Sequence, residues 1–468
     1  MRKILTILLC LALLMGTAAC GGVSVNKTTE NTPSASLSET AQPTEEPSPS
    51  PEPTPEPTAE TVDYVKATAD FAQLLIDGDF ESCSEMFSPM LSAQIDAEGL
   101  KQMWETTVKD CGAFVKMDEA RAYTRPYSVY SYTTVFCEFE NNGVAVTALY
   151  GDGGQLMSLL MNYYLPLSRL IYETESNATP ILWKVTSPDG DGEMYLMGSI
   201  HVADALLYSL PKEIMNAYDS CDALALEYDL VDASLDFTLY MQAQMGLMYQ
   251  DGTKITDHIS QETYNKAAAF LTEQGTYNAM FDYFQASTWN SIVGQAVYKL
   301  IGYDMSYGVD MYFCSLAHAV GKEVLSIESQ QFQLDMLTEA PDNLWDFYIS
   351  YTIDKYNAGE NPVEDLYSAY FNGDEAALME QLYNDYDLSD PILKDYTEEE
   401  LALLVEQDKA FDEIALTQRN VSMIEKAVEY LESGRKVFFL VGMAHMLGDD
   451  GIVAGLTAAG YTVERVEY

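Results

Sequence analysis

Apolar residues recur at helical spacing over residues 63–76, where Val65, Ala69, Ala72, Leu75 and Ile76 mark one face and Asp77-Gly78-Asp79 ends the run. A second helix is predicted over residues 100–108, covering Trp104. From residue 123 to residue 150 the pattern changes to strand character, with residues 129–139 and 144–150 flanking Asn141-Asn142-Gly143 as a hairpin turn. Helices followed by a curved antiparallel sheet predict a small α+β domain over residues 61–165.

After Tyr172-Glu173-Thr174 the pattern changes again. Residues 181–185 and 193–200 read as a strand pair around Gly190-Asp191-Gly192, and a helix should begin near Pro211 with Ile214, Ala217 and Tyr218 on one face. Two short apolar runs, 223–226 and 322–327, end at Glu227 and Glu328. The closing segment repeats the plan: a strand over 437–441, a turn with His445, a helix over 450–456 and a strand over 461–466. Residues 278–418 are rich in Tyr, Phe, Met and Leu at helical spacing, as in Tyr283, Ala286, Ile292, Ala296 and Leu300, and read as the core faces of a helical insertion. A longer helix over 412–430 presents Arg419 and Asn420 part-way along. Residues 178–468 therefore predict an α/β domain with a mixed sheet and a helical insertion.

The amino-terminal end follows neither pattern. Met1-Arg2-Lys3, an apolar run over residues 4–15 and Gly16-Thr17-Ala18-Ala19 before Cys20 read as a secretory signal ending in a bacterial lipoprotein cleavage site, residues 1–20. The run is too short to span a bilayer. A diacylglycerol on Cys20 would supply the two acyl chains that stable anchoring takes, holding the protein outside the cytoplasm on a membrane surface. The alternative is an ordinary cleaved signal with Cys20 incidental. Residues 21–60 form a linker of Ser, Thr, Pro, Glu and Asn with prolines alternating from Pro47 to Pro57; such a segment cannot bury a core and favours extended polyproline geometry.

Charge narrows the partners. Over 468 residues, 24 Lys+Arg stand against 73 Asp+Glu, a formal charge of −49, and a polyanion repels phosphate backbones while attracting cations. Nucleic acid is thereby excluded as a partner. Beyond the signal and Cys20 there are five cysteines, Cys83, Cys111, Cys137, Cys221 and Cys314, with no Cys-x-x-Cys spacing. That set argues against a thiolate metal site or a disulfide scaffold and for buried small apolar residues.

The chain has four histidines, and two of them close a repeated tetrapeptide: Gly198-Ser199-Ile200-His201 and Gly442-Met443-Ala444-His445, each following an apolar run. In each copy the glycine is expected in a tight turn that brings main chain close to a neighbour, with the imidazole at a strand's carboxyl edge, where α/β sheets bind ligands. Four runs thus end in His201, Glu227, Glu328 and His445. Neutral imidazoles with carboxylates suit a divalent transition metal (Mn, Co or Zn), and a catalytic site leaves one position open for water. His201, His445 and Glu227 would surround the metal, Glu328 would assist as ligand or general base, Arg419 would hold a substrate carboxylate or anionic intermediate, and Asn420 would act as a neutral donor. Each has a plainer reading: a turn histidine, a helix-capping or lysine-paired glutamate, a structural arginine. His258 and His318 read as structural.

At these residues the chain resembles the TraB/PrgY/GumN family, which includes the Tiki membrane-tethered metalloproteases. The likeness rests on Leu182-Trp183-Lys184-Val185, Gly198-Ser199-Ile200-His201-Val202 with Asp204, Leu226-Glu227, Gly308-Val309-Asp310, Ile327-Glu328, Arg419-Asn420 and Val441-Gly442-Met443-Ala444-His445. It implies a metal-dependent hydrolase-like fold acting on a peptide or small-molecule substrate, without settling which. The rival function is a non-catalytic cell-surface protein that captures a peptide or small ligand in the same pocket. In the first domain, Gly78-Asp79-Phe80 and Met86-Phe87 resemble the cone-shaped domains of the nuclear-transport-factor-two type.

Overall fold

The computed structural model describes residues 63–128, 130–151, 154–171, 177–383 and 388–467; the signal, Cys20 and the proline-rich linker lie outside the described residues. The first helix, α1 (Tyr64–Asp77), starts where the Asp63 side chain accepts from Lys66 N–H at 3.0 Å and stops at Gly78, whose φ of 76° is open to glycine at little cost. Its inner face buries Phe71, Ala72 and Leu75. A later helix, α2 (Ala97–Val108), buries Leu100 and Trp104. Both pack on a four-stranded antiparallel sheet, β1 (Phe114–Tyr127), β2 (Tyr130–Phe139), β3 (Gly143–Tyr150) and β4 (Leu156–Tyr164), in that spatial order. Strand β3 is buried along its whole length, hence its unbroken apolar run. Strand β1 starts earlier than its sequence suggests because it is an edge strand, where Lys116, Asp118 and Arg121 are tolerated and the pairing slips between Asp118 and Tyr123.

The second half is built on a six-stranded mixed sheet in the order β10-β5-β6-β9-β7-β8. Strands β5 (Leu182–Thr186) and β6 (Glu193–Ser199) form the expected hairpin, and helix α3 (Lys212–Asp219) buries Ile214, Ala217 and Tyr218 as its spacing predicted. Strand β7 (Ala223–Leu226) leads into α4 (Leu230–Leu235) and α5 (Phe237–Gly246). Helices α6 (Ala286–Leu300) and α7 (Val309–Val320) precede strand β8 (Glu323–Ser326). Further helices run from Gln330 to Glu432, ending in α8 (Arg419–Glu432), and the chain closes with β9 (Val437–Gly442) and β10 (Thr462–Arg465). The helical part is thus wider than residues 278–418: it begins at Leu230, and β8 divides it. Strands β6, β9, β7 and β8 run parallel; β10, β5 and β6 are antiparallel. The five cysteines of the folded part are buried free thiols, as their spacing predicted. Among the described residues no helix is long and apolar enough to cross a membrane.

One acidic side chain couples the two halves. Asp236 caps α5 by accepting from Thr238 N–H (2.9 Å) and Leu239 N–H (3.2 Å), and it also accepts from Arg125 Nη1 (2.5 Å) and the Tyr132 hydroxyl of the first sheet. Beside it the Phe237 ring meets Tyr127 edge-on at 5.1 Å, and Phe136, Ala145 and Tyr164 of the first sheet join the core of the second half. Asp236→Ala removes the cap, leaves Tyr132 without this acceptor and leaves Arg125 only its longer pair with Asp232 (3.5 Å), so it should cost about 2–4 kcal/mol. Urea unfolding checks this, and Asp236→Asn, which keeps an acceptor, should cost less.

Candidate metal centre

Four parallel neighbours, β6, β9, β7 and β8, end at one edge of the sheet, and the chain leaving them carries His201, His445, Glu227 and Glu328. The register aligns these ends, with Ser199 opposite Gly442, Leu226 opposite Leu440, and Leu226 opposite Ser326. Past the strands, Glu328 N–H donates to the Glu227 carbonyl at 2.8 Å, so the two acids leave side by side. His201, Glu227, Arg419, Asn420 and His445 are all buried.

The two Gly-x-x-His copies turn differently. Gly198 lies inside β6, where a Cβ would meet Met443 Sδ and Cε at 2.6 Å, so the second copy's close approach is what requires glycine there. Gly442 ends β9 at φ −48° and opens a single helical turn, Met443–Met446, that carries His445 inward. Gly198 lies within the strand rather than in the turn expected, and both glycines serve the close approach that was expected of them. A Cβ on Gly442 would sit 3.4 Å from Glu227 Oε1, 3.6 Å from His445 Cδ2 and 3.7 Å from His201 Nε2. The missing side chain is therefore the space that the two imidazoles and the carboxylate share.

Each ring is oriented through its Nδ1. His201 Nδ1–H donates to Asp310 Oδ2 at 2.5 Å. Asp310 opens α7, which is docked on the His201 segment: Val309 N–H donates to Ile200 O at 2.9 Å, and a Cβ on Gly308 would strike His201 O at 2.6 Å. His445 Nδ1–H donates to Asn420 Oδ1 at 2.6 Å, while Asn420 Nδ2 donates to Asp450 O at 2.9 Å and so fixes which end of the amide faces the ring. That leaves His445 Nε2 on the side of Glu227 Oε1, 3.9 Å away. Burial, with the Arg419 charge nearby, pushes His445 down to about 3 against a weaker opposing pull from Glu227, so its imidazole is neutral at pH 7. Neutral imidazole is the form that ligates metals.

Arg419 holds the acids. Its Nη2 donates to Glu227 Oε2 at 2.6 Å and to Glu328 Oε2 at 2.7 Å, its Nε to Glu328 Oε1 at 2.9 Å, and its Nη1 to Ala415 O at 3.1 Å. Ala415 belongs to the π-helical turn Glu413–Gln418 that interrupts the expected longer helix, a local widening common at functional sites. Gln333 Nε2 bridges Glu227 Oε2 (2.8 Å) and Glu328 Oε2 (3.0 Å). Burial alone would raise the Glu227 carboxyl, but Arg419, His445, His201 and the Gly442 N–H (2.9 Å from Oε1) outweigh it and hold the group well below the usual carboxylate range. Three residues given roles from the sequence are engaged within the protein. The three guanidinium nitrogens of Arg419 donate to Glu227, Glu328 and Ala415, and the Glu328 oxygens accept from Arg419 and Gln333. Asn420 orients His445 through its Oδ1.

The donor types gathered here, imidazole and carboxylate, are those that suit a divalent cation. The carboxylates of Glu227, Glu328 and Asp310 outnumber the single Arg419 guanidinium in a buried cluster, an excess of acid that such an ion would balance. Ser199 Oγ is buried without a hydrogen-bond partner among the described residues and lines a cavity of about 10 Å³ with Glu227 and Asp310, room for one water. Asp310, Gln333 and Ser199 were not assigned roles from sequence. Asp310 stood only within the Gly308-Val309-Asp310 motif, and nothing in the spacing links Gln333 to Glu227.

Another group of ligand-type side chains, Asp229, Cys314 and His318, is already self-satisfied. His318 Nε2 lies 2.8 Å from Asp229 Oδ2, the Cys314 thiol donates to Asp229 Oδ1 at 3.4 Å, and burial raises that thiol far above its ordinary range, keeping it a poor ligand. His258 is structural as well, between Asp342 (2.8 Å) and Thr253 (2.7 Å) and stacked on Tyr249. Arg419→Met would leave Glu227 and Glu328 buried without a counter-charge and should cost about 3–5 kcal/mol of stability in urea unfolding. Arg419→Lys should recover only part, because one ammonium cannot reproduce the fork that spans both acids.

Comparison with known proteins places this geometry. The matched region of two bacterial relatives, the uncharacterized protein YbaP of Escherichia coli (strain K12) and that of Shigella flexneri, is 27% identical over 160 residues, which is 34% of this chain. The chain spans only about half the length of these relatives, 56%. No solved structure matches it. A family of unknown function, DUF3887, matches residues 68–159, which include β1, β2, β3 and the start of β4. The TraB/PrgY/gumN family matches residues 181–465, from the first strand of the mixed sheet through its last and including all the residues that meet around Gly442; the chain belongs to the TraB/PrgY/gumN family.

Proposed function

We propose that the protein is an exported, lipid-anchored, metal-dependent hydrolase of peptide or amide bonds, with His201, His445 and Glu227 as the ligands of a divalent transition metal. The observation that carries this reading is the convergence of His201 Nε2, the His445 ring and Glu227 Oε1 on the space beside Gly442. Two imidazoles and a carboxylate are the donor set of hydrolytic sites that keep a further position open. Bound there, the ion would supply a water acidified toward neutral pH and would polarise a carbonyl oxygen.

The chain's own residues do the remaining work. Asp310 and Asn420 hold the two rings by their Nδ1 atoms and so decide which nitrogen faces the centre. Arg419 and Gln333 occupy one oxygen of Glu227 and keep the other turned toward His445. The small cavity beside Ser199, Glu227 and Asp310 gives the Ser199 hydroxyl room for a water. Room for substrate comes from a cavity of about 270 Å³ that shares Asn420 with the centre. Asp412, Asp449 and Asp450 line it, which suits a neutral or cationic part of the substrate. Export and anchoring rest on the signal pattern and Cys20.

Metal analysis of soluble protein produced from Thr61 onward, before and after chelation, is the direct test. Wild-type protein should carry about one ion per chain, and His201→Ala with His445→Ala should carry none while keeping the wild-type circular dichroism spectrum. Asp310→Ala and Asn420→Ala, which free the rings without removing a ligand, should each weaken metal affinity about 10–100-fold. Wild-type metal content in the double variant would refute the centre. Metal binding without hydrolysis of any peptide would leave the non-catalytic binding protein as the reading.

Cys20 is tested separately. The full chain should partition with membranes and Cys20→Ala should release it or stop its processing, since one thioether-linked diacylglycerol brings the two acyl chains required. Unmodified wild type free in the medium would leave secretion alone.

A further inference from the structure

A well-formed cavity lies between the two halves of the molecule. It measures about 580 Å³, within the usual size of small-molecule sites, and its wall is contributed by the first sheet through β4 and by the helices α4, α6 and α7 of the second half. Phe281, Ile292, Tyr298 and Met311 supply an apolar and aromatic lining. Two polar features interrupt it. Asn162, on β4, is buried, donates from Nδ2 to Ser234 O, and has no hydrogen-bond partner for its Oδ1 among the described residues. Lys299, in the last turn of α6, is exposed and makes no ion pair among the described residues, in a chain with three times as many acids as bases.

We propose that this cleft binds a small anionic molecule with an aromatic or branched apolar body and at least one N–H donor. A buried amide oxygen left without a donor costs free energy unless something supplies one, and an N–H on the ligand would do so at Asn162 Oδ1. The Lys299 ammonium receives the anionic group, and the apolar body fills the space between Phe281, Tyr298 and Met311. Asp304, the one acid on the wall, turns its Oδ1 to the Ser306 N–H. The overall charge of −49 disfavours anions that lack such a body, so selectivity comes from the apolar lining and not from charge alone. The site is distinct from the strand-end centre and independent of it, although α7 serves both: Asp310 faces His201 and Met311 lines the cleft.

The probe is 8-anilinonaphthalene-1-sulfonate, which joins two aromatic bodies, one N–H and one anionic group. Titrated into chelator-treated wild-type protein and followed by its fluorescence, it should bind saturably with one site per chain. Lys299→Met, an exposed change that leaves the fold intact, should weaken binding about fivefold or more. Ala296→Trp, which fills the cleft, should abolish it while circular dichroism stays unchanged. Non-saturable binding, no binding, or affinity untouched by Lys299→Met would each overturn the assignment. Metal content unchanged in both variants shows that the two sites are separate, so failure here is distinguishable from failure of the metal centre.

Discussion

The guanidinium of Arg419 is the interaction on which the strand-end cluster depends. It lies in the interior between two carboxylates delivered by adjacent parallel strands, β7 and β8, and takes its remaining contact from a carbonyl of the π-helical turn before it. Buried charges cost several kcal/mol each to desolvate, and only close pairing with further hydrogen bonds repays that. The arrangement therefore exists only once both strands and the helix are assembled, and it draws Glu227 into one orientation. With one oxygen held by Arg419 and Gln333, the other is left to the Gly442 N–H and the histidine side.

Sheet topology does the rest. Because β6 and β9 are neighbours and parallel, two segments more than two hundred residues apart deliver their histidines to the same edge, and the register that sets Ser199 opposite Gly442 brings the first copy's ring over the second copy's glycine. Each ring then needs only one bond at Nδ1 to define its direction. Asp310 supplies one from the start of α7 and Asn420 the other from α8, so two helices far apart in the chain meet at the centre. Its immediate cavity has room for a single water, and the roomier 270 Å³ cavity shares Asn420 with it.

Much of this was legible in the residue pattern, and the reasons are specific. The six strands of the second sheet show because the central ones are buried on both faces and read as apolar runs, and their ends show because titratable residues follow them at once. Helices α1 and α3 show by period and cap. What could not be read was anything that depends on side-chain partners far apart in the chain. The pairing of Arg419 with Glu227 and Glu328 is one such case, since nothing in the sequence brings the three together. Asp310 and Gln333 are ordinary polar residues on helices until those helices dock. The extent of β1 was hidden by edge-strand charges, and the coupling of the two halves through Asp236 and Arg125 crosses 111 positions with no local signal.

X-ray absorption at the metal edge of protein reconstituted with zinc or cobalt tests the central claim most directly, because scattering from imidazole rings can be counted. The account predicts two imidazoles with oxygen donors in the wild type, one in His445→Ala, and a stable two-imidazole signal in Cys314→Ala, which touches only the neighbouring Asp229 cluster. A bound metal whose shell contains no imidazole, or one that keeps both rings when His445 is removed, would contradict it.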